Sequence, residues 1–427
     1  MSALAQFAVL RRARQFRRLF LARLGSEFGN WLATIGLTVS VYARTGSATW
    51  VGALLLAQLL PGALAGLVLG PLADRLPRRR MLISSDVINA SIFVAIAFFP
   101  RTGPMVGLAA LSSLAAVLFR PAVFAGLPNL VDVEELPAAN SLLGLSETVS
   151  MMAGPALAGA LLLVANATTL FALDAASFLL SALLLLAIPA GALQSERAPS
   201  RGHWRDLGDG FGLLKSNRAL RAILFGWGLA IAAGGLINVS QIVLVKHALH
   251  GGNFSYGLFS ACSGIGLALG SVAGASLLGR WGVSRLYNRS LLVMSLATGA
   301  AAASPDVPVA LVFVVMLGLA NMTGLLAGMT IVQQTTGDSM RGRVFTNIGC
   351  VMQLLLGLGL VAGGPLTGAV GARLAWASAS VLTLGAAGLV FLLLPRSRSV
   401  TISVDTGAAC IAEADTAYLG PLRRAAS

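Results

Sequence analysis

A chain of 427 residues with 56% hydrophobic and only 11% charged side chains cannot cover itself with the polar surface a water-soluble globule needs. Its net charge of +14 arises from 30 basic and 16 acidic residues, and their placement, given below, removes nucleic acid as the reason for them. Three cysteines (Cys262, Cys350, Cys410) and three histidines (His203, His247, His250) are too few and too scattered for a disulfide framework or a metal cluster, so neither metal nor cofactor is expected.

Apolar stretches long enough to cross a bilayer, about 20 residues each, recur along the whole chain. Their Ala, Leu and Gly content favours helices over a barrel, because only those two forms satisfy the backbone in lipid. Twelve spans are expected, at 19–42, 50–72, 81–100, 105–127, 140–165, 168–189, 222–245, 256–279, 286–304, 308–331, 344–369 and 374–394. The fold class is therefore an all-α membrane protein of two six-helix bundles. Segment 1–18 precedes the first bundle (19–193), a linker follows (194–221), and the second bundle (222–395) ends in a polar tail (396–427) expected to be disordered. Within the linker, residues 211–221 read as an amphipathic helix on the membrane surface.

The first span follows Arg11, Arg12, Arg14, Arg17 and Arg18 without a small-x-small cleavage site, so it is expected to remain as a signal anchor. On the side of the two termini the loops and tails hold 24 basic residues, against four (Arg44, Arg101, Lys246, Arg373) on the other. That asymmetry predicts both termini in the cytoplasm of a bacterial inner membrane. The bases then face anionic lipid headgroups, and no nucleic-acid partner is needed.

The two halves echo each other. Gly62, Gly66 and Gly70 form a stripe in span 2 that recurs as Gly266, Gly270 and Gly274 in span 8, while Gly154-Pro155 in span 5 recurs as Gly364-Pro365 in span 11. Small residues at this spacing let helices approach closely, and the Gly-Pro pairs mark points where a helix can bend. Nearly equal offsets argue for a duplicated six-span unit, with a substrate site near the midplane and alternating access by rocking of the halves.

Ionisable groups inside spans are costly and are functional candidates for that reason. Apart from Arg289 at the border of span 9, all lie in the first half: Arg23, Glu27, Asp86, Arg120, Glu147 and Asp174. Arg120 and Glu147 fall at similar depth on consecutive antiparallel helices and are expected to pair, for function or for structure alone. Glu27 is the candidate proton site; the alternative is a partner for Arg23, one turn earlier. Asp86 is placed near a helix start, capping it or joining the loop before it, and Asp174 is given a structural role nearer the outer surface. In the second half Asn238, Gln241 and Asn321 are neutral polar groups expected to line a cavity or bond between helices. No phosphate-binding loop exists, since Lys215 and Lys246 lack the required Gly and Ser/Thr neighbours, so an ion gradient is the expected energy source.

The segment Gly70-Pro71-Leu72-Ala73-Asp74-Arg75-Leu76-Pro77-Arg78-Arg79-Arg80 resembles the signature between spans 2 and 3 of the major facilitator superfamily. Gly154-Pro155 with Gly159 resembles the span-5 signature of its antiporters. Ser26-Glu27-Phe28-Gly29-Asn30, Thr45-Gly46-Ser47, Pro61, Phe119-Arg120-Pro121, Ala139-Asn140-Ser141 and Arg341-Gly342-Arg343-Val344 resemble its drug-efflux branch, which includes macrolide and enterobactin exporters. The likeness runs over roughly residues 15–395. Members often carry Asp at the position of Asn30, and the Arg-x-x-Gln-Gly pattern of other antiporters is missing after Arg120.

The resemblance implies a gate latch built from Gly70, Asp74, Arg75, Arg78 and Arg79, and a coupling region of Arg23, Glu27, Asn30, Arg120 and Glu147. It implies a monomeric, proton-coupled exporter of amphipathic drugs or secondary metabolites. Import or facilitation of a small solute remains the alternative among transporters. A lipid-linked transferase is the alternative among enzymes, although the acidic loop cluster Asp132, Glu134, Glu135 lacks a nearby histidine.

Overall fold

The computed structural model describes residues 3–73, 76–117, 119–193, 214 and 217–394, and all regular structure in them is helical. A short α1 (Ala3–Arg12) precedes α2 (Arg14–Thr45), α3 (Ala48–Ala73) and α4 (Arg78–Phe98). Then come α5 (Thr102–Ala116), α6 (Phe119–Gly126), α7 (Leu136–Val164) and α8 (Ala167–Leu186). The second half holds α9 (Arg218–Val243), α10 (Asn253–Trp281), α11 (Val283–Ala303), α12 (Val307–Thr335) and α13 (Asp338–Leu393).

Among the described residues nine helical segments are long and apolar enough to cross a membrane. One of them, within α13, is two passes, because Gly371 (φ 81°) leaves helical geometry and reverses the chain. The left-handed region that this turn needs is open to glycine at little cost. The remaining two passes are α2 and α11, which begin with Arg14, Arg17 and Arg18 and with Arg285 and Arg289 respectively. The protein is thus an all-α, twelve-pass membrane protein with α5 and α6 sharing one pass.

That shared pass departs from the uninterrupted span expected at 105–127. Pro121 has no N–H to offer the carbonyl of Val117, and its ring crowds that carbonyl. The helix breaks there, α5 ending at Ala116 and α6 starting at Phe119. Elsewhere helix starts are closed by side chains: Asn166 accepts from the Thr169 amide (3.0 Å), Asn217 from Ala219 (2.9 Å) and Asp306 from Val309 (3.0 Å). Asn217 begins α9 itself, so Arg218 and Arg221 occupy the first turn of a membrane pass, and the rest of the expected surface helix, save position 214, lies outside the described residues. Most of the linker and the whole 396–427 tail lie outside the described residues.

The repeat is visible in the packing. A Cβ on Gly62 would lie 2.8 Å from the Ser113 carbonyl oxygen, seating α3 on α5, and one on Gly266 would lie 2.2 Å from the Val315 oxygen, seating α10 on α12. Arg18, near the start of α2, donates to the Ala187 carbonyl after α8, and Arg218, starting α9, donates to the Leu392 carbonyl at the end of α13 (2.7 Å). These are matching positions in the two halves, each guanidinium closing a helix end whose carbonyls have no intrahelical donor.

Two seams join the halves, α7 on α10 and α3 on α13. Their close approaches lie toward the face opposite the N-terminus: Gly257 against the Pro155 oxygen and Gly159, Gly52 against the Leu360 oxygen, and Gly364 against Thr49. The apolar core follows the same division. One buried cluster runs through both halves on that opposite face, from Leu37, Phe93 and Phe171 to Tyr256, Phe259 and Trp376. Toward the N-terminal face the core separates into a first-half cluster around Phe16, Leu19 and Leu142 and a second-half cluster around Leu220, Tyr287 and Val390. Among the described residues the halves are closed on the opposite face and apart on the N-terminal one. Large apolar side chains left exposed, such as Leu183 on α8 and Val272 on α10, suit a surface that meets lipid.

Candidate functional site

Three positions on α2, Arg23, Glu27 and Asn30, follow helical spacing and open on one cavity of about 330 Å³. Arg120 of α6 and Glu147 of α7 line it as well, so all five residues of the expected coupling region meet there. Arg23 is the centre of the arrangement and is buried. Its Nε donates to Glu27 Oε1 at 2.5 Å and its Nη2 to Glu147 Oε2 at 3.2 Å. Arg120 reaches the same Glu147 oxygen at 3.6 Å. Ser146 Oγ donates to the second Glu27 oxygen at 2.9 Å. Both guanidinium groups lie over the ring of Phe124, at 5.4 and 5.8 Å from its centroid. Two cations and two carboxylates therefore form one connected, charge-balanced network across α2, α6 and α7. Its centre, Arg23 with Glu27, is largely desolvated, so loss of Arg23 leaves carboxylates uncompensated, while Arg120 and Glu147 stay open to water.

Asp86 is misplaced by the sequence. It lies in the interior of α4, 1% exposed, and neither caps the helix nor joins the preceding loop. Asp86 is among the residues that line the same cavity, and its Oδ2 accepts from Ser181 Oγ at 2.5 Å. Ser85 and Asn89 share its face of α4, and Asn89 in turn accepts from Ser112 Oγ at 2.6 Å. The pattern Ser85-Asp86-x-x-Asn89 was the available signal: polar groups one turn apart on a single helical face. Asp174 is fully buried on α8 beside Ser177 and against Gly29 of α2.

The second half carries a neutral counterpart. A cavity of about 420 Å³ is lined by Asn238, Gln241 and Asn321 with Trp227, Phe259, Met294 and Trp376, and none of its lining residues is ionisable. A third cavity, of about 290 Å³, lies between the halves. Trp31 is common to it and the charged cavity, while Asn238 and Gln241 are common to it and the neutral one. Gln241 Nε2 donates to Ser260 Oγ at 2.9 Å, tying α9 to α10 at the wall. The three spaces thus adjoin through shared walls, charged at one end and apolar with amides at the other. A few polar groups in a largely apolar concavity is what a small-molecule site requires.

Of the expected gate, Asp74 and Arg75 lie outside the described residues, and Gly70 is known only as part of α3. Arg78 Nη1 donates to the Ala125 and Leu193 carbonyls (2.9 and 3.0 Å), and Arg79 donates to Leu185 (3.3 Å) and Leu186 (2.6 Å). Both arginines bind helix ends within the first half. The Gly-Pro pairs lie near the seams: Gly154 packs against Trp31 and Gly364 against Thr49. α7 runs on as helix through Pro155, and the Met151 carbonyl, four residues earlier and deprived of its donor, faces Gly264 of α10.

Residues 4–410 match the major facilitator family described as transmembrane secretion effectors. BacE of Bacillus amyloliquefaciens, proposed as a bacilysin exporter, is 26% identical over 74% of this chain and 79% of its own length. The multidrug efflux pump Tap of Mycobacterium tuberculosis is 25% identical over 90% of this chain and 94% of its own. Among solved structures, a bacterial homologue of the iron transporter ferroportin in an inward-facing state superposes with a TM-score of 0.73 at 14% identity, covering 92% of this chain and all but 1% of that one (99%). With a twelve-pass fold, seamed halves and a cavity between them already in place, this chain belongs to the transmembrane secretion effectors of the major facilitator superfamily and is a multi-pass membrane transporter of small molecules, not an enzyme.

Proposed function

We propose that the protein exports amphipathic drugs or secondary metabolites from a bacterial cell, driven by protons entering through the same cavities. The observation that carries this reading is the division of labour between cavities: charge is confined to the first half, and the second offers aromatic and amide groups suited to an amphipathic molecule. Efflux relatives across most of the chain support the direction. Both termini are taken as cytoplasmic and the chain as a monomer of halves 19–193 and 222–395, with 194–221 as the linker.

Single cysteines replacing Arg78 and Asp306 test the orientation. A membrane-impermeant maleimide is expected to label position 306 in intact cells and position 78 only after the cells are opened. Labelling of position 78 from outside reverses the orientation and, with it, the charge-asymmetry argument.

Coupling is tested in inverted vesicles with ethidium as the probe. The wild-type protein is expected to accumulate it when a pH gradient is imposed and to stop when the gradient is collapsed. Glu27→Gln removes the charge that holds Arg23, so uphill accumulation is expected to fall at least tenfold, about 1.4 kcal/mol of driving free energy, with downhill movement retained. Equal pumping by Glu27→Gln, still sensitive to the gradient, shows that coupling does not need the Arg23–Glu27 pair intact.

A further inference from the structure

Asp86 differs from every other charged group around its cavity. Its Oδ2 accepts from Ser181, and its Oδ1 has no hydrogen-bond partner among the described residues. The elements around it supply few charges. Arg23 and Glu27 come from α2, Arg120 from α6, Glu147 from α7 and Asp174 from α8, while α5 has none. On α4 itself Arg78, Arg79 and Arg80 stand at the first turn. Arg23 and Arg120 are engaged by Glu27 and Glu147, and Arg78 and Arg79 by helix-end carbonyls. Arg80 is exposed. Asp86 makes no ion pair among the described residues. An ionised carboxylate so enclosed, with one bare oxygen and no cation, is costly; the neutral acid removes the charge and leaves Ser181 in place.

We propose that Asp86 holds a proton in this conformation and is the group that exchanges it with the cavity, while Glu27 stays a carboxylate bound to Arg23. The exchange is a simple acid–base step: the Asp86 O–H bond breaks, a cavity water takes the proton, and the reverse reloads it. Position selects Asp86 over Asp174, which is equally buried with a bare oxygen but is not among the residues lining these cavities. The role in the transport cycle rests on the proton-coupled reading above; the protonation itself does not.

Infrared difference spectra of the full-length protein in liposomes, recorded as pH is raised, test the protonation directly. A carboxylic acid carbonyl band is expected to be lost on titration in the wild type and to be missing from Asp86→Asn. No band that Asp86→Asn removes means that Asp86 carries no proton, and the proposal fails whatever transport shows. In proteoliposomes Asp86→Asn, which keeps an acceptor for Ser181, is expected to lose at least tenfold in gradient-driven ethidium accumulation while downhill ethidium flux persists. Asp86→Glu, which restores a titrating group, is expected to recover part of the coupling and guards against a folding defect in the amide variant. A band that Asp86→Asn removes without loss of coupling makes Asp86 a bystander. Wild-type transport indifferent to the gradient overturns the proton-coupled reading and the carrier role together, while the band still reports the bound proton.

Discussion

Arg23→Ala is expected to abolish transport and to destabilise the folded protein by about 3 kcal/mol, the lower end of what removing one member of a buried ion pair costs. The reason is geometric. Arg23 alone bridges Glu27 and Glu147, and its loss leaves two carboxylates near one another with only Arg120 in reach. Most of the cost falls on Glu27, whose side chain is 18% exposed; Glu147 is half-exposed and water screens it. Arg120 is 68% exposed at the other end of the network, so Arg120→Ala is expected to cost less than about 1 kcal/mol. Thermal unfolding of the two purified variants in detergent separates them. The double variant Arg23→Gln, Glu27→Gln, which removes the charges together, is expected to recover most of the stability without recovering transport. Equal destabilisation by Arg23→Ala and Arg120→Ala would show that the buried centre of the network holds nothing special.

Gly257→Leu and Gly266→Leu make the same change on one helix, nine residues apart, the first near its start and the second at its middle, and are expected to act in opposite ways. A Cβ on Gly257 meets the Pro155 oxygen at 2.4 Å, a contact between halves. One on Gly266 meets the Val315 oxygen at 2.2 Å, a contact within the second half. Overpacking of this kind costs about 1–3 kcal/mol. At Gly266 every conformation bears that cost, and the expected result is a lower yield and a lower melting temperature. At Gly257 only states with the opposite-face seam closed bear it, so the equilibrium between states is expected to shift by roughly 5- to 150-fold. A reporter cysteine at Gln58 in the cavity between the halves, with Cys262, Cys350 and Cys410 replaced by serine, reads the shift. Its labelling from the opposite face should rise in Gly257→Leu. A loss of folded protein with unchanged labelling would show the seam to be fixed, not a moving surface.

The passes were legible because each must bury its backbone in helix and present apolar side chains for the full thickness of the bilayer. The break at Val117 was signalled by Pro121 but not read, because the apolar run on either side concealed it. Charge depth along α2 brought Arg23, Glu27 and Asn30 to one wall, since helical periodicity alone fixes that. Asp86 escaped because its distance from a helix start was judged by sequence position, whereas its burial depends on α8 laying Ser181 against it. The aromatic walls of the second cavity, Trp227 and Trp376, were hidden for a different reason: in an apolar chain a core tryptophan and a cavity tryptophan look alike until neighbouring helices leave a space beside one of them.

The arginines that close helix ends have a consequence for how the chain is made. Arg18, Arg78, Arg79 and Arg218 stand on the N-terminal face, and in the orientation proposed above their charge biases the direction in which the nascent chain threads into the bilayer. The same guanidinium groups then ligate the carbonyls of α6, α8 and α13. A lysine keeps the charge that guides threading, yet at position 79 it has no fork with which to reach Leu185 and Leu186 together. Biogenesis and final closure of the bundle are therefore inscribed in the same side chains.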